Sequence, residues 1–558
     1  MKLEQKLVVA VAGAAVALSA VAETPFYMIR LRAPETDDAQ TWEETRQALA
    51  ENPGCADEVW FSTGIGYPPL AKHRERAAKQ AKAAEDCRRL GIQPGLQVQA
   101  TLGHSDSITK TDDVSGWAWG GFTGVSGVAC TACSCPRQPA FLAYFEEVGR
   151  IYGAYRPTSV WVDDDLRPDN HRPATDANAR KGVSGCWCDR CVGDFSAKEG
   201  KTYAREELAA AVLADRALAA RWNDFTFDSL AEVARRIAVG VHSVSPETRM
   251  GFQHCLRADG RQAKIFRAMH EVTGLPVRSR PGGGAYFDHN PYEQLDKAYF
   301  LLRQRATLEG VDSIEQFCPE VETCPRTFAC RTPRGVLLEA VENLALGMDS
   351  LSFLITDSRY EKMSWYGRKF FRALAANRSF LRDLAAASRG TRPCGLYVDS
   401  HQVPWPRTTA GVPLVNGCAV RTGNYAEFVK RNGGKAIDVT SASSGDLLGW
   451  AKLADEVSGG KLPAVALDPV QAWVMPRVTA SGELRTLTVV NTTIDTNDPV
   501  RFRLRGVPAT CTQAVWRALD AQPVTVPVRR DGADAVVTVP SLAAWSAGWL
   551  KIVKEDCP

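Results

Sequence analysis

The stretch TSVWVDDDLRPDNH, residues 158–171, is an apolar run that ends in three aspartates. Its VWV core is β-branched and aromatic, which favours a strand, and the absence of polar alternation is typical of a strand buried on both faces. Buried strands of this kind are parallel strands covered by helices, and in a barrel the residues that follow each strand line the active-site face. The stretch therefore predicts a parallel strand whose aspartates, Asp163 to Asp165, lie at a functional site.

Runs of the same type recur through the first two thirds of the chain, with amphipathic segments between them. These segments have apolar residues at the three-to-four spacing of helices. The predicted strands are 26–33, 57–64, 94–101, 159–165, 249–255, 275–281, 313–322 and 350–357. Eight strand–helix repeats predict an α/β fold, a (β/α)₈ TIM barrel, over residues 23–392. The alternative, an open doubly wound sheet, is disfavoured because no Gly-x-Gly-x-x-Gly turn follows the first strand.

The sequence changes in character after residue 392. A new strand-like run opens a small α/β domain, which we predict over residues 393–471. The remainder, residues 472–558, is rich in strand-like runs and predicts a C-terminal β-sandwich. We interpret this last domain as structural or as the surface of a homo-oligomer.

The N-terminus has the parts of a secretory signal peptide. A short basic segment precedes an apolar run that ends in the small-x-small triplet Ala20-Val21-Ala22. We predict a signal peptide over residues 1–22 and an exported protein, periplasmic or extracellular. A membrane anchor is the disfavoured alternative because the run is short, and we predict no membrane span after signal cleavage. The net charge of +3 over 558 residues predicts no nucleic-acid partner.

Carboxylates mark several of the predicted strand ends. Besides the aspartates after the fourth strand, the seventh strand ends in Glu320 and Glu322 and the eighth in Asp357. Carboxylates that face one another across a cleft suit glycoside hydrolysis, in which one acid protonates the leaving oxygen and another acts as nucleophile or as base for water. Crowded like charges raise the pKa of one carboxyl, as a general acid requires. The predicted carbohydrate-binding residues are Asp163, Arg167, His104, His254, Arg280, Glu320, Asp357 and Trp365.

The aspartate cluster also has other interpretations. Because side chains alternate along a strand, Asp163 and Asp165 are expected on one face and Asp164 on the other. The cluster could instead cap a loop, or it could bind calcium or another hard cation together with Glu322 and Asp357.

Six cysteines are clustered after the third and fourth predicted strands. The motif CWCDRC, residues 186–191, has three of them, and the segment ACTACSC, residues 129–135, has the other three. Three thiolates from one segment and one from the other make a closed tetrahedral zinc site, which would join the two segments. The predicted ligands of this structural zinc are Cys135, Cys186, Cys188 and Cys191. Two or three disulfides are the alternative in an exported protein, and no organic cofactor is predicted.

The strand with its polar end, the Cys-x-Cys-x-x-Cys motif and the following Phe195 together resemble the family 42-type β-galactosidases, which are retaining TIM-barrel glycoside hydrolases of clan A. In that family the fourth strand ends in Asp-Asn-Glu, and the cysteine triplet helps to hold a structural zinc. The resemblance places Asp165 at the acid/base glutamate and Asp164 at the asparagine. The segment ETCPRTF, residues 322–328, is similar to the family's Glu-x-x-Pro segment, which implies that Glu322 is the nucleophile.

The resemblance implies a retaining glycoside hydrolase of the β-galactosidase type, with the carboxyl groups of Asp165 and Glu322 about 5–5.5 Å apart. The chain departs from the family at two positions. Asp165 is one methylene shorter than glutamate, and Asp164 lacks the amide donor that the family uses on the sugar 2-hydroxyl.

These departures leave two further hypotheses open. The first is a substrate-assisted N-acetylhexosaminidase-like hydrolase, in which Asp163 or Asp164 works with Asp165 while Glu322 only binds the sugar. The second is a carbohydrate-binding barrel without catalysis.

Overall fold

The computed structural model describes residues 24–103, 117–168, 184–255, 259–289, 291–324, 326–327, 330–357, 363–393, 396–398, 420–421, 435–437, 455–456, 458–470 and 472–552. The predicted signal peptide and His104 lie outside the described residues. Among the helices within these ranges, none combines the length and the hydropathy that crossing a bilayer requires.

The N-terminal part of the chain contains one parallel sheet and one hairpin. Its strands are β1 (Tyr27–Arg30), β2 (Glu58–Ser62), β3 (Gln93–Val98), β4 (Gly121–Thr123), β5 (Ala129–Ser134), β6 (Ser159–Val162), β7 (Arg249–Cys255), β8 (Val277–Gly282), β9 (Ile314–Phe317), β10 (Glu320–Glu322) and β11 (Leu351–Leu354). The parallel sheet has the order β10-β11-β1-β2-β3-β6-β7-β8-β9, and β4 pairs with β5. Only Cys318 and Pro319 separate β9 from β10, so these two are segments of the predicted seventh strand. All eight predicted strand positions are therefore confirmed in a TIM-like domain.

Helices connect the strands of the parallel sheet. They are α1 (Pro34–Asp37), α2 (Ala39–Glu51), α3 (Leu70–Arg89), α4 (Pro139–Gly153), α5 (Asp189–Glu199), α6 (Arg205–Ala214), α7 (Arg216–His242), α8 (Ala263–Thr273), α9 (Pro291–Thr307), α10 (Pro333–Ala345) and α11 (Arg368–Ser388). Sequence signals set several helix starts. Thr332, for example, accepts the amide hydrogen of Gly335 and is followed by Pro333 in the first turn of α10.

The inner face of the parallel sheet, turned away from the helices, is filled by large side chains. Met28, Trp60, Trp161 and Cys318 form a buried cluster, in which the two indole rings stack with centroids 4.2 Å apart. Successive side chains of a strand point to opposite faces. The register of β8 therefore brings Arg280 onto this same face, near the carboxyl ends of the strands.

The C-terminal part is an antiparallel β domain. Its strands are β12 (Arg392–Pro393), β16 (Ala464–Ala466), β17 (Trp473–Val478), β18 (Leu484–Asn491), β19 (Val500–Leu504), β20 (Gln513–Ala518), β21 (Val524–Asp531), β22 (Asp534–Val539) and β23 (Ser546–Lys551). They are hydrogen-bonded in one continuous order, β12-β17-β18-β23-β20-β21-β22-β19-β16. The first half of β21 pairs with β20 and the second half with β22, so the sheet bends around a core instead of separating into two sheets. The predicted C-terminal β domain is confirmed.

The predicted small α/β domain is described only in pieces. Three short strands, β13 (Leu396–Val398), β14 (Val420–Arg421) and β15 (Lys435–Ile437), form a parallel sheet with β13 in the centre. Parallel strands agree with an α/β arrangement, and the boundaries at residues 393 and 471 stay a prediction.

Candidate active site and metal centre

One guanidinium joins the ends of two strands of the TIM-like domain. Arg280, at the carboxyl end of β8, places Nη2 at 3.3 Å from Asp164 Oδ2 and Nη1 at 2.8 Å from Glu320 Oε1. Its Nε and Nη2 also donate to Gln253 Oε1, at 3.0 and 2.6 Å. The side chain is 1% exposed. The structure thus brings together three residues that the sequence predicted for the site: Arg280, Asp164 and Glu320.

Glu320 is enclosed by donors. Arg30 Nη1 lies 3.4 Å from its Oε1, the amide of Gly283 donates to its Oε2 at 2.7 Å, and Lys297 Nζ lies 4.0 Å from the same oxygen. Burial raises the pKa of Glu320, but the charges of Arg280, Lys297 and Arg30 outweigh burial and hold that pKa below its usual range. Glu320 is therefore an ionised carboxylate whose oxygens are occupied by the protein.

Glu322 is the last residue of β10 and lies beyond Glu320 at the carboxyl end of the sheet, which we call its open end. Its Oε1 accepts from Arg326 Nη2 at 2.6 Å, and its Oε2 accepts from Arg30 Nη1 at 3.1 Å. Burial and the charge of Glu320 raise the pKa of Glu322, against the opposing charges of Arg30 and Arg326. The Glu322 side chain is 14% exposed, whereas that of Glu320 is 3% exposed. Of the two glutamates of β10, Glu322 is the one that a ligand can reach.

The three aspartates after β6 lie in different environments. Asp164 is 16% exposed, accepts from Arg280 and lies 3.5 Å from Arg167 Nη1. The Asp163 side chain is 6% exposed, and burial, followed by the charges of Asp164 and Asp165, raises the pKa of Asp163 to about 7. A carboxyl with this pKa is partly protonated near neutral pH, which is a property that a general acid needs.

Asp165 is fully buried and faces the end of the neighbouring strand. Its Oδ1 accepts from the amide of Thr101 at 3.0 Å and from the Thr101 hydroxyl at 2.8 Å. The structure therefore differs from the expected alternation of the three aspartates. β6 ends at Val162, so Asp163 to Asp165 lie in a turn, where the side-chain period of a strand no longer applies.

The other predicted binding residues are divided between the site and the protein interior. Arg167 contacts Asp164 and also donates to the Cys255 thiol. Asp357 is buried, with Oδ2 at 3.7 Å from Arg326 Nη1. Trp365 is 54% exposed beside Tyr366.

His254 lies on the helix side of β7. Its Nε2 is 2.7 Å from Ser279 Oγ, and its ring packs edge-on against Phe266 of α8. Burial lowers the pKa of His254 to about 3, so the ring is a neutral part of the core.

Gln253 of β7 and three side chains that sequence reasoning missed complete the site; the three are Arg30, Lys297 and Arg326. Arg30 and Gln253 follow from strand periodicity, because they lie near the carboxyl ends of β1 and β7 on the same face as Arg280. The glycine run 282–284 was a further signal. A Cβ on Gly282 would lie 1.9 Å from Arg280 Nη1, and Gly283, at φ +100°, directs its amide at Glu320.

The four predicted cysteine ligands converge. The Sγ atoms of Cys135, Cys186, Cys188 and Cys191 all lie within 4.8 Å of one another. Cys135 Sγ is 3.6 Å from Cys188 Sγ and 3.5 Å from Cys191 Sγ. A zinc tetrahedron with Zn–S bonds of about 2.3 Å has S–S edges of about 3.8 Å, so the donors fit a zinc ion. Within the described ranges, the strand-end carboxylates form no such convergent group, which leaves the hard-cation alternative without support.

The four thiols also shift one another's pKa values, because their sulfur atoms are in contact. Hydrogen bonds from Cys135, Cys186 and Cys191 lower the pKa of Cys188, while contacts with the other sulfurs raise the pKa of Cys135 and that of Cys191. The amide of Thr123 donates to Cys186 Sγ at 3.3 Å, as backbone amides do around thiolate ligands. The sulfur atoms of Cys135, Cys186, Cys188 and Cys191 are thiols, so the disulfide alternative is not realised among these four residues.

The metal centre lies between the β4–β5 hairpin and α5. Cys135 directly follows β5, and Cys191 lies in the first turn of α5. Their neighbours form a separate apolar cluster that includes Phe122, Trp187 and Trp222. An ion held here would join two excursions of the TIM-like domain, which is a structural role.

Comparison with solved structures finds glycoside hydrolases whose fold is similar to that of most of the chain. A β-galactosidase from Bacillus circulans sp. alkalophilus matches with a TM-score of 0.50 and 12% identity, over 92% of this chain and 99% of that one. The β-galactosidase of Rahnella sp. R3 has a TM-score of 0.45 and 10% identity, over 93% and 98% of the two chains. A GH27 β-L-arabinopyranosidase from Geobacillus stearothermophilus has a TM-score of 0.44 and 10% identity, over 96% and 98%. No protein-family model and no curated protein sequence matches the chain. At 12% identity, the likeness to the Bacillus circulans β-galactosidase shows the fold alone, a TIM-like domain with a C-terminal β domain.

Proposed function

We propose that this chain is a glycoside hydrolase whose catalytic carboxylates are Asp164 and Glu322. One observation carries the proposal. Of the carboxylates at the ends of β6 and β10, these two are the most exposed, at 16% and 14%, while Asp163, Asp165 and Glu320 are turned into the protein. Two reachable carboxyl groups on facing strands are the requirement of glycosidic bond cleavage.

In the proposed reaction Glu322 attacks the anomeric carbon as Asp164 donates a proton to the leaving oxygen. The glycosidic C–O bond breaks, an ester forms between the sugar and Glu322, and Asp164 then removes a proton from the water that hydrolyses this ester. Arg30 and Arg326 orient Glu322, and Arg280 orients Asp164. Glu320 keeps Arg280 and Arg30 in place.

This assignment moves the acid/base role by one residue from the sequence-based hypothesis. The Asp165 carboxyl is fully buried and accepts two hydrogen bonds from Thr101, so a substrate at the open end of the sheet does not reach it. A β-galactosidase-like specificity and a retaining outcome belong to the proposal, with the carboxyl groups of Asp164 and Glu322 about 5–5.5 Å apart in the substrate complex.

Export and the metal are further parts of the proposal. The basic and apolar N-terminal segments, residues 1–22, support export to the periplasm or the extracellular space. The cysteine geometry supports one structural zinc per chain, held by Cys135, Cys186, Cys188 and Cys191.

The test is a panel of aryl glycosides and of mucin and plant glycans, with the released monosaccharide identified. We expect turnover by the native enzyme and a loss on the order of 10²- to 10⁴-fold in D164N, the size expected for removal of a general acid. E322Q should be inactive. D165N is the matched control, since it alters an adjacent aspartate whose carboxyl is fully buried and accepts from Thr101. Full activity in D164N, with loss in D165N, would return the acid role to Asp165.

A substrate-assisted hexosaminidase is the second candidate. It is favoured by the adjacent pair Asp163 and Asp164, of which Asp163 has a pKa near 7. This alternative predicts turnover of N-acetylhexosaminides and survival of activity in E322Q. Binding of glycans without any turnover would instead support a carbohydrate-binding barrel.

A further inference from the structure

Lys297 is a buried cation on α9 that reaches the end of β10 from outside the sheet. Its Nζ lies 2.9 Å from Glu339 Oε1 on α10 and 4.0 Å from Glu320 Oε2, and the side chain is 0% exposed. It also lies 3.4 Å from the carbonyl oxygen of Ala285, to which it donates, and 5.0 Å from the centre of the Tyr286 ring. The proposed reaction gives this residue no role.

The loop after β8 is shaped around Lys297. Gly284 adopts φ +120°, and a Cβ at this position would lie 3.0 Å from Lys297 Cγ. The preceding Gly283 donates its amide to Glu320, so the same loop encloses both the lysine stem and the carboxylate. Such close approach of backbone to side chains is a reason for successive glycines.

Charges of both signs face Lys297 from β10, β8, α10 and the segment before α10. Glu320 and Glu322 face it from β10, Glu339 from α10, Arg331 from the segment before α10, and Arg280 from β8. Burial lowers the pKa of Lys297 to about 8, and the charge of Glu320 opposes that effect. Below this pH the lysine is a cation next to Glu320.

We propose that Lys297 is a positioning residue that holds the carboxylate of Glu320 at the end of β10, and through the shared Arg30 that of Glu322, and so sets the lower pH limit of the site. The cation stabilises the ionised form of Glu320 directly. Glu322 shares Arg30 with Glu320, and the positive charge of Lys297 also stabilises the ionised form of Glu322, over a longer distance. Without Lys297, both carboxyl groups would bind protons at higher pH.

Only the predicted effect on turnover rests on the proposed function. We therefore test the inference first by a measurement that does not require an active enzyme. The rate at which a water-soluble carbodiimide modifies Glu322, read by peptide mass, follows the protonated carboxyl. The rate is measured as a function of pH, and we expect the pH at the midpoint of this curve to rise by about one unit in K297M. K297R keeps the charge and should keep the native midpoint.

Arg305 provides a matched control on the same helix. It is a partly buried cation that lies 3.9 Å from Asp349, away from the strand ends, and R305M should leave the midpoint unchanged. If K297M does not fold, K297Q takes its place with the same expected shift. An unmoved midpoint in the folded lysine variant would overturn the inference, as would an equal shift in R305M.

Turnover separates this inference from the proposed function. In an active enzyme the acid limb of kcat/KM should move with the labelling midpoint in K297M and stay in place in K297R. A uniform loss of rate without movement of the limb would show that Lys297 is merely structural and would contradict the inference. If the native protein has no glycosidase activity, the proposed function fails, while the carbodiimide midpoints still decide the role of Lys297.

Discussion

Neighbouring residues in this chain have very different chemistry because the backbone turns between them. Asp164 is partly exposed and bridged to Glu320 by Arg280, whereas the adjacent Asp165 is buried against Thr101. On β10 the same contrast separates Glu320, which donors enclose, from Glu322. Environment, more than residue type, therefore distinguishes the proposed catalytic carboxylates from the supporting ones.

Replacement of Asp163 should change the alkaline side of the pH profile. Asp163 and Asp164 are adjacent carboxyls, and removal of one negative charge lowers the pKa of the other. Because the proposed acid must be protonated, the basic limb of kcat/KM in D163N should shift to lower pH, by up to about one unit. A pH–rate profile on an aryl glycoside measures this shift. A basic limb identical to that of the native enzyme would contradict the proposed coupling.

His73 should make the stability of the fold sensitive to acid, independently of the candidate active site. Its Nε2 lies 2.8 Å from the Tyr144 hydroxyl, which itself donates to the carbonyl oxygen of Pro68, so Nε2 is the donor. Its Nδ1 then accepts from Tyr152 at 3.0 Å. Burial lowers the pKa of His73 to about 4, so the folded state resists a proton that the unfolded chain binds below about pH 6.5.

The free energy of unfolding should therefore fall as the pH is lowered from about 6.5 to 4, and His73 contributes at most about 3 kcal/mol of this loss. Urea unfolding at pH 7 and pH 5 measures the effect. H73Q lacks the titrating ring, so its stability should depend less on pH over this range. An unchanged dependence in a folded H73Q would show that the ring titrates normally.

At the scale of elements, the hairpin and α5 hold each other through the cysteine cluster. The hairpin β4–β5 is two short strands, and an isolated two-stranded hairpin is marginally stable in water. α5 begins at Asp189, between two ligands, and its N-cap Cys188 makes no side-chain capping bond. Both elements are therefore expected to depend on the ion that the thiols bind.

Loss of the metal should loosen these two excursions and leave the parallel sheet folded. We expect about one zinc per native chain by elemental analysis, and less in C188S or after treatment with a strong chelator. Limited proteolysis should then cut between residues 117 and 215, while circular dichroism keeps its helical signal. C255S is the control, since Cys255 is a buried thiol outside the cluster. The zinc proposal would be contradicted if the native protein contained no metal and if C188S and C255S resisted proteolysis equally.

The sequence predicts the elements of the parallel sheet well because each buried strand is an apolar run. It also predicts the four converging cysteines, since three of them are spaced locally within 186–191 and Cys135 belongs to a second cysteine cluster after the neighbouring strand. It does not predict which of the three aspartates is accessible, because the end of β6 at Val162 is fixed by pairing with its neighbours. Lys297 and Arg326 are unpredictable for a related reason. Both reach the site from outside the strands, and no strand periodicity identifies them.

At the scale of the whole molecule, the TIM-like domain and the C-terminal domain share a hydrophobic core. Residues of β17, β18 and β23, among them Met475, Val490 and Trp549, belong to the same buried cluster as α10 and α11. Arg334 Nη2 lies 2.5 Å from Asp520 Oδ2, and Asn377 donates to Asp520 Oδ1 at 2.8 Å. The C-terminal domain thus supports α10, which follows the proposed nucleophile and provides the partner of Lys297.

The central claim is that Glu322 attacks the sugar while Asp164 supplies the proton. Inactivation by an activated 2-deoxy-2-fluoro glycoside, built on the monosaccharide that the panel identifies, tests it most directly, because the fluorine slows hydrolysis of the glycosyl ester. Peptide mass mapping of the inactivated protein should find one sugar on Glu322 in the native enzyme, and also in D164N when the leaving group needs no proton. A label on Asp163, Asp164 or Asp165, or none in an enzyme that turns over the parent glycoside, would contradict the account.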